Sequence, residues 1–474
     1  MMSFRIPFIA FPFLLGCIAI SGVAPAQTLQ NSHLSLTATK AGSSIGSVGG
    51  NLALNTSKKY LYISAYDGTV SPATQLCDRG YDTHSCNGVI SVLTSGYRLR
   101  NRIELPGLNG TALPDPAHHA VWFLSDNAGL SYGASACGQT GATEPYSTVY
   151  SFKDDLSGPA PGIGVSGVFK TLPGVVASQA VLNSKTKRFY VSDECTGNVI
   201  IYDTAWNQLG TVTLGSVTTA AQSAPGFAGR LAVNAGTNKI YVSDLKNSSL
   251  HEIDGSTGAW SRTISLSRSC NLVGGCRVSS PIPQGDGVAV GVKANKVFVT
   301  HQADGSLAVV DVKNNYKVSV ISLDSSANGT SGTNPAQGGN LVSVLEKKGM
   351  VLVSNWDQSR LTVISESTGA IIQTASLGTP DVGSPALTNN CYSVLSSGGS
   401  CASFGDNVQG LVVNPVSGSV YVSTLPVQGI WEAGAGWATD VAWYNATNPA
   451  TPLSTTSSPL WGKGNLFVLN PTTH

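Results

Sequence analysis

Three residues suited to acid–base chemistry stand at one recurring place in the chain, directly after a short apolar stretch that ends in a hydroxyl. Asp193 and Asp244 follow a serine there, and His301 follows a threonine. A histidine near a carboxylate can move a proton in an elimination or in the hydrolysis of a lactone, and the pair His118-His119 offers the same chemistry. None of these residues has the spacing of a known catalytic motif, so the interpretation as ordinary loop residues is favoured.

The same recurring place supplies oxygen ligands for a metal ion. Carboxylate and amide oxygens suit a divalent cation such as Ca²⁺. The groups that follow the hydroxyl are Asp126, Asp193, Glu194, Asp244, Asn355 and Asp357. No Cys-x-x-Cys or His-x3-His spacing appears, so a zinc site is not predicted. A calcium-type ion is therefore a hypothesis without a defined set of ligands.

A second set of polar residues stands before or at the start of the strands that we expect to line a central channel. One cation, one anion and four amides make up this set, namely Asn51, Gln179, Arg230, Asp286, Asn340 and Gln409. Such a mixture is more typical of a mouth that orients a ligand than of a repeated structural position. Simple solvation of the channel mouth is the competing interpretation.

Aromatic residues are concentrated near the end of the chain. Four of the eight tryptophans, Trp431, Trp437, Trp443 and Trp461, fall within residues 425–464. Aromatic rings offer flat apolar platforms to sugars, peptides or organic ligands, which makes the first three candidate binding residues. A loop of this length also needs a small core of its own, and that interpretation is the stronger one.

The elements that position these residues come from a sevenfold repeat. Each copy has an aromatic or aliphatic residue, an aliphatic residue and a hydroxyl, spaced 51 to 69 residues apart. Repeats on this scale indicate a solenoid, a propeller or an array. The copies are Tyr62-Ile63-Ser64, Phe123-Leu124-Ser125, Tyr190-Val191-Ser192, Tyr241-Val242-Ser243, Phe298-Val299-Thr300, Leu352-Val353-Ser354 and Tyr421-Val422-Ser423.

Each copy lies within four short strands separated by Asn, Gly and Asp turns. The strands are apolar on both faces, as expected for sheets sandwiched between neighbours, and four-stranded sheets repeated radially are propeller blades. The last unit lacks a fourth strand, and residues 33–39 alternate in the manner of a strand that can fill this edge and close the ring. The sequence therefore predicts an all-β fold, a seven-bladed β-propeller of four-stranded antiparallel blades.

The repeats resemble the Tyr-Val-Thr-Asn (YVTN) repeats of seven-bladed propellers, a group close to the NHL-repeat, lactonase-like and virginiamycin-lyase-like propellers. The resemblance covers nearly all of the mature chain, although this sequence mostly has Ser where the family has Thr. It implies the propeller fold and, through the lactonase-like members, a divalent cation at the channel mouth. It implies no single activity, because the same fold serves many functions.

The first 26 residues predict export. Arg5 is followed by an apolar run over residues 6–20 and by Ala24-Pro25-Ala26, the layout of a secretory signal peptide. Residues 27–474 then form one propeller domain that is secreted or periplasmic. Cys17 lies in a stretch that resembles a lipoprotein cleavage box, so lipid anchoring is an alternative, less favoured because Cys17 is inside the apolar run. No later stretch is apolar enough for a transmembrane helix.

Three long insertions are predicted to share one face. Residues 66–87, 127–147 and 425–464 each follow the second strand of a blade, in the first, second and last units. These units are neighbours in a closed ring, so the insertions should form a wall over one side of the channel mouth. Rigid loops of this kind commonly carry binding surfaces.

The cysteines are expected to staple that face. Eight remain after removal of the signal peptide, and an even number in an exported chain indicates four disulfides. Proximity favours pairing the first cysteine with the second, the third with the fourth, the fifth with the sixth and the seventh with the eighth, with other pairings left open. Bridges that only stabilise loops remain the simpler interpretation. The series is Cys77, Cys86, Cys137, Cys195, Cys270, Cys276, Cys391 and Cys401.

The charge balance restricts the partners. The chain has a formal net charge of +1 and no basic run, so nucleic acid and anionic membrane surfaces are not predicted. The favoured function is a monomer that binds a small molecule, a glycan or a protein partner on the loop face. A metal-assisted lactonase or lyase at the channel mouth is the alternative, and a cell-surface scaffold is a third interpretation.

Overall fold

The computed structural model describes residues 29–35, 51–66, 87–96, 98–106, 112–126, 146–193, 195–214, 228–244, 249–266, 287–301, 306–323, 339–355, 360–376, 400–432, 441–442, 444–445, 448–452 and 465–471. Within these ranges the chain forms β-strands joined by turns, and no helix is found. A helix long and apolar enough to span a membrane is accordingly not present among them.

The chain enters the fold with β1 (Leu29–Ser35) and then forms one four-stranded sheet after another. Within each sheet the strands pair antiparallel in chain order, so each sheet is a meander, or blade. The strands of the first three blades are β2 (Leu52–Asn55), β3 (Tyr60–Tyr66), β4 (Asn87–Leu93), β5 (Leu99–Pro106); β6 (Leu113–Asp115), β7 (Ala120–Asp126), β8 (Tyr146–Lys153), β9 (Val168–Pro173); and β10 (Ala177–Asn183), β11 (Arg188–Asp193), β12 (Val199–Tyr202), β13 (Gln208–Val212).

Blades four to six repeat this arrangement with closely similar strand lengths. Their strands are β14 (Ala228–Asn234), β15 (Lys239–Asp244), β16 (Ser249–Asp254), β17 (Trp260–Ser265); β18 (Val288–Gly291), β19 (Lys296–His301), β20 (Ser306–Asp311), β21 (Lys317–Ser322); and β22 (Gly339–Leu345), β23 (Met350–Asn355), β24 (Arg360–Ser365), β25 (Ile371–Ser376).

Blade seven is built from both ends of the chain. Its strands pair in the order β26-β27-β31-β1, so the N-terminal strand supplies the outer edge as predicted. That strand occupies residues 29–35 rather than the predicted 33–39 and pairs antiparallel with β31. The remaining strands are β26 (Ser400–Val413), β27 (Val420–Glu432), β28 (Val441–Ala442), β29 (Tyr444–Asn445), β30 (Asn448–Pro452) and β31 (Asn465–Pro471).

The seven blades close into a ring. The first strands β2, β6, β10, β14, β18, β22 and β26 are neighbours in that order, and β26 lies against β2 again. Between blades the sheets pack face to face through apolar side chains. Tyr190 and Val199 of blade three, for example, pack with Ile240 and Val242 of blade four. This explains why the strands are apolar on both faces, and the seven-bladed β-propeller predicted from the repeat is confirmed.

The ring has two different faces. The turns from first to second strand and from third to fourth strand open on one of them, which we call the turn face. The second-to-third connections and the links between blades open on the other, which we call the mouth face. Six blades make the first turn in four residues, at 56–59, 116–119, 184–187, 235–238, 292–295 and 346–349, and blade seven makes it through residues 414–419.

A left-handed residue ends each of these first turns, with φ between 52° and 79°. This conformation brings the chain directly into the second strand, and glycine adopts it without steric cost. Amide side chains support several turns from the preceding strand end, as where Asn234 Oδ1 accepts the Thr237 N–H at 3.1 Å. The left-handed residues are Lys59, His119, Lys187, Asn238, Asn295, Gly349 and Gly418.

Candidate ligand-binding mouth of the ring

The repeated hydroxyl lies at the mouth end of every second strand and is buried. All seven hydroxyl residues are at most 3% exposed. Ser243 Oγ accepts the backbone N–H of Arg230 at 2.9 Å, and Ser354 Oγ accepts that of Leu341 at 3.0 Å. A buried N–H without a partner is costly, so a hydroxyl at this place satisfies the first strand where the strand ladder does not.

The ladder fails there because the first strands are bulged. The pairing of first and second strands shifts register in blades three, four, six and seven. A β-bulge adds a residue to one strand, bends it and re-aims a side chain, and bulges are frequent next to binding sites. The shifts fall between Ala177 and Gln179, Ala228 and Leu231, Gly339 and Val342, and Val408 and Gly410.

The predicted polar ring coincides with these bulges. Arg230, Asn340 and Gln409 are residues that the bulges leave out of the ladder, and Gln179 resumes pairing directly after one. Asn51 lies at the same level in blade one, where its carbonyl accepts the N–H of the repeated serine at 2.9 Å. Four of the six residues therefore lie inside longer first strands instead of before them. The sixth predicted residue, Asp286, is outside the described residues.

Gln179 connects two blades. Its Oε1 accepts the backbone N–H of Leu231, in the next blade, at 2.5 Å. The oxygen is therefore engaged in holding blade three against blade four, which leaves the amide NH₂ as the group available to a ligand. Arg230, on that next blade, is half-buried, and Asn340 and Gln409 are described by their backbone alone.

Asp193 organises the connections around itself. Its carboxylate accepts backbone N–H groups from Val176 at 3.0 Å, Cys195 at 3.2 Å and Thr196 at 3.2 Å. The Thr196 hydroxyl donates a fourth bond at 2.6 Å. With the residue 1% exposed, these four bonds account for the carboxylate structurally. Burial, together with the Asp193 charge, raises the pKa of Tyr202 to about 12.

Asp244 is part of a buried chain of polar groups that the sequence did not reveal. Its Oδ2 lies 2.9 Å from His251 Nε2, and the Thr263 hydroxyl lies 2.9 Å from His251 Nδ1. The side chains of Asp244 and His251 are fully buried. Carboxylate, imidazole and hydroxyl stand in the order of a nucleophilic triad. Here, however, the imidazole lies between blades three and four. Its contacts join β15, β16 and β17 near the mouth face.

The candidate histidines divide between the two faces. His301 ends β19 opposite Ser306 and is 7% exposed, so it is a buried strand residue and not the solvated loop residue that was expected. His118 and His119 lie in a turn on the other face, where His118 Nδ1 contacts Asp115 Oδ2 at 2.7 Å. The proposal that this pair acts beside the mouth carboxylates is therefore wrong. The catalytic roles of His301, Asp193 and Asp244 stay predictions.

A two-stranded ribbon extends the mouth face. The register of β26 and β27 continues for eight pairs beyond the blade, from Asn407 opposite Leu425 to Ser400 opposite Glu432. At about 3.3 Å per residue this two-stranded ribbon adds roughly 26 Å at the channel side of blade seven. Cys401 pairs with Trp431 in the ribbon. Cys401 was predicted to lie in a link between blades, and residues 425–432 were predicted to begin an insertion. Both lie in strands instead.

The other predicted elements of this face lie outside the described residues. They include Trp437, Trp443, six of the eight cysteines and most of the three insertions. Cys195 lies in the turn held by Asp193, and the disulfide pairing stays a prediction. Where side chains are described, no group of three His, Cys, Asp or Glu residues is placed to hold a metal. A calcium-type ion at the mouth likewise stays a prediction.

Comparison with known proteins gives a structural likeness and no family. No family model matches the sequence, and no curated protein matches it. Among solved structures, the chain is similar to the crystal structure of the β-propeller domain of Cps50 (Swd1) from Myceliophteria thermophila. The two share 10% identity with a TM-score of 0.47, over 93% of this chain and 100% of that chain. This likeness carries no argument about function, and the fold rests on the strand order of the chain itself.

Proposed function

We propose that the protein binds a ligand on its mouth face and is not itself an enzyme. The observation that carries this proposal is the position of the three longest connections after second strands. They join β3 to β4, β7 to β8 and β27 to β31, in three consecutive blades. The links from β17 to β18 and from β25 to β26 are of similar length and open on the same face. Additional chain is therefore concentrated on the mouth face, whereas six of the seven first turns on the other face have four residues.

The bulged first strands support the same face. A position fixed by the fold keeps one residue type, as the repeated hydroxyl does, whereas the bulge position changes from arginine to amides between blades. Different groups at one level around a channel can orient an asymmetric ligand. The propeller itself supplies a rigid scaffold for them, and propellers are commonly binding scaffolds.

The ligand class follows from the composition of this face. Polar groups of mixed type at the mouth and tryptophans in the segment 425–464 favour a small organic molecule or a glycan, with a protein partner as the broader alternative. In this proposal the protein is an exported, monomeric relative of the YVTN and NHL-type propellers, and disulfides hold the loops that form the site.

A metal-assisted lactonase or lyase at the mouth is the competing function. The observation that favours it is the burial of His301, because an imidazole shielded from water at the mouth can serve as a general base. Elemental analysis of the purified protein, with hydrolysis assays on simple lactones, separates the two. A stoichiometric divalent ion and lactone turnover would overturn the binding proposal, whereas retention of specific glycans on a printed array by metal-free protein supports it.

A further inference from the structure

Basic side chains collect on the turn face. The four-residue first turns carry lysines in blades one, three, five and six. Because these turns have equal length and begin at equivalent strand ends, their tips lie at a common level around the ring. The exposed lysines of these turns are Lys58, Lys59, Lys185, Lys187, Lys293 and Lys347.

The few acids of these turns do not offset that charge. Asp115 is only 6% exposed and contacts a histidine of its own turn. Glu346 caps the neighbouring turn, where it accepts the N–H groups of Val292 and Lys293. Lys58 lies 4.0 Å from Asp154, a weak pair.

Four of the six exposed lysines remain without an acidic partner. Within the part of the chain that the structure describes, Lys59, Lys185, Lys187 and Lys293 take part in no ion pair. Their ammonium groups are therefore presented to whatever meets this face.

The small net charge of the chain conceals an excess of basic residues on the turn face. In the first turns, seven lysines stand against one glutamate. In all turns of the turn face taken together, first-to-second and third-to-fourth, nine Lys and Arg residues stand against five Asp and Glu residues. The turn face therefore carries an excess of positive charge, which attracts a partner that carries negative charge.

We propose that the turn face docks on an anionic lipid bilayer and leaves the mouth face directed away from it. The lysines come from four different blades, so a small anion can reach the turn of one blade only, whereas a flat anionic surface neutralises all of them together. Each lysine near such a surface adds to the attraction, and the contributions combine. This docking uses the face opposite the proposed ligand site and does not depend on that site.

Apolar tips on the same face favour a bilayer over a hydrophilic polyanion. The turn between β8 and β9 presents Val165, which is 99% exposed, and two first turns present Val416 at 70% and Val292 at 40% exposure. Aliphatic side chains at a basic surface can enter the boundary between headgroups and acyl chains, which a polyanion in water does not offer.

Vesicle co-sedimentation tests the proposal with the mature full-length protein. Vesicles of equal parts phosphatidylglycerol and phosphatidylcholine should retain the protein, with retention falling as salt is raised, and vesicles of phosphatidylcholine alone should not. The triple variant Lys59→Gln, Lys185→Gln, Lys293→Gln should bind roughly a hundredfold more weakly to the anionic vesicles. Val165→Asp should weaken binding about fivefold.

The matched control neutralises three basic residues in mouth-face connections, with Lys246→Gln, Arg268→Gln and Arg277→Gln. It should bind within about twofold of the unmodified protein, because the strands that flank these connections end at the mouth face, opposite the bilayer. Equal losses in the two triple variants, or no retention on anionic vesicles at low salt, would overturn the proposal. Tighter binding to single-stranded DNA than to the vesicles would also overturn it, since the occupant would then be a soluble polyanion.

Discussion

The chain reverses direction between strands at both faces of the ring, but by different structural means. On the turn face, the first-to-second turns have nearly constant length and a left-handed residue near their end, and this backbone geometry reverses the chain. On the mouth face, bulges break the ladder and a buried hydroxyl satisfies the freed N–H. The connection that follows the buried hydroxyl can have any length, whereas a tight turn fixes the length of the connection. The mouth face is therefore the one on which this fold accepts insertions and variable side chains.

The comparison has a functional consequence. First turns of similar length bring basic residues of four blades to one level of the turn face, which suits contact with an extended plane. Bulges and insertions give the mouth face a shaped, chemically mixed surface, which suits a discrete ligand. The predictions that follow perturb one face or the other.

Alkali should produce the largest effect, and it acts first on the turn face. The Tyr62 hydroxyl donates to the Asp154 carbonyl of the next blade at 2.6 Å, and the Tyr316 hydroxyl donates to Glu252 at 2.7 Å. Burial raises the pKa of Tyr62 and, with the Glu252 contact, raises that of Tyr316 to about 12. In the unfolded chain these tyrosines ionise at about pH 10.

The direction of this pH effect follows from the difference in bound protons between the folded and unfolded states. Above about pH 10 the unfolded state loses protons that the folded state keeps, so stability is complete below that pH and falls as the pH rises toward 12. Urea unfolding across this range, with phenolate absorbance, measures the loss. Tyr316→Phe should reduce the slope. Ionisation of the buried tyrosines near pH 10 with unchanged stability would contradict the account.

Removal of the buried Asp244 carboxylate on the mouth side should lower the free energy of unfolding less than alkali does, but more than a substitution in any single turn. Asp244→Ala leaves His251 without its acceptor in a fully buried seam, and we expect a loss of about 3 kcal/mol in the free energy of unfolding. Asp244→Asn keeps an acceptor oxygen and should lose less. The comparison is made by urea denaturation, and a loss equal in both variants would exclude the imidazole contact as the cause.

Loss of one repeated hydroxyl tests the bulge directly. Ser243→Ala removes the acceptor for the Arg230 N–H and should cost about 1 to 2 kcal/mol. Ser243→Thr should remain close to the unmodified protein, because a threonine fills the equivalent place in blade five. If alanine and threonine were equally tolerated, the hydroxyl would have no role in satisfying the bulge.

The smallest effect is expected on the turn face and has the opposite sign. Lys59 has φ of 57°, a conformation that Gly349 and Gly418 adopt at the same place in other blades. Lys59→Gly should therefore stabilise the protein by about 0.5 to 1 kcal/mol. Lys58→Gly, one residue earlier, should destabilise it by a few tenths of a kcal/mol. Melting temperatures of the two variants give the comparison, and a shift in the same direction for both would contradict it.

The difference between the faces also explains what the sequence could predict. The repeat and its hydroxyl are spaced by the blade, so the fold, the closing strand and the level of Arg230 and Gln409 followed from the pattern. The function of the hydroxyl was open to prediction too, because a polar residue that recurs inside an apolar strand needs a buried partner.

Other features arise only when the ring is closed. The turn-face lysines of different blades are 54 or more residues apart along the chain, and net charge gives no sign of their convergence. His251 belongs to one blade only, so no repeat marks it as the partner of Asp244. The ribbon of β26 and β27 continues beyond the blade where the repeat has ended, and the pattern gave no reason to extend the strands.

The most direct test of the account is ligand retention by mouth-face and turn-face variants on one printed glycan array. Arg230→Ala with Asp286→Ala changes the mouth, and Lys185→Ala with Lys293→Ala is the matched pair on the turn face. We expect glycans retained by the unmodified protein to be lost from the first variant and kept by the second, with melting temperatures little changed. Retention by the first variant and loss from the second would contradict a binding site at the mouth of the ring.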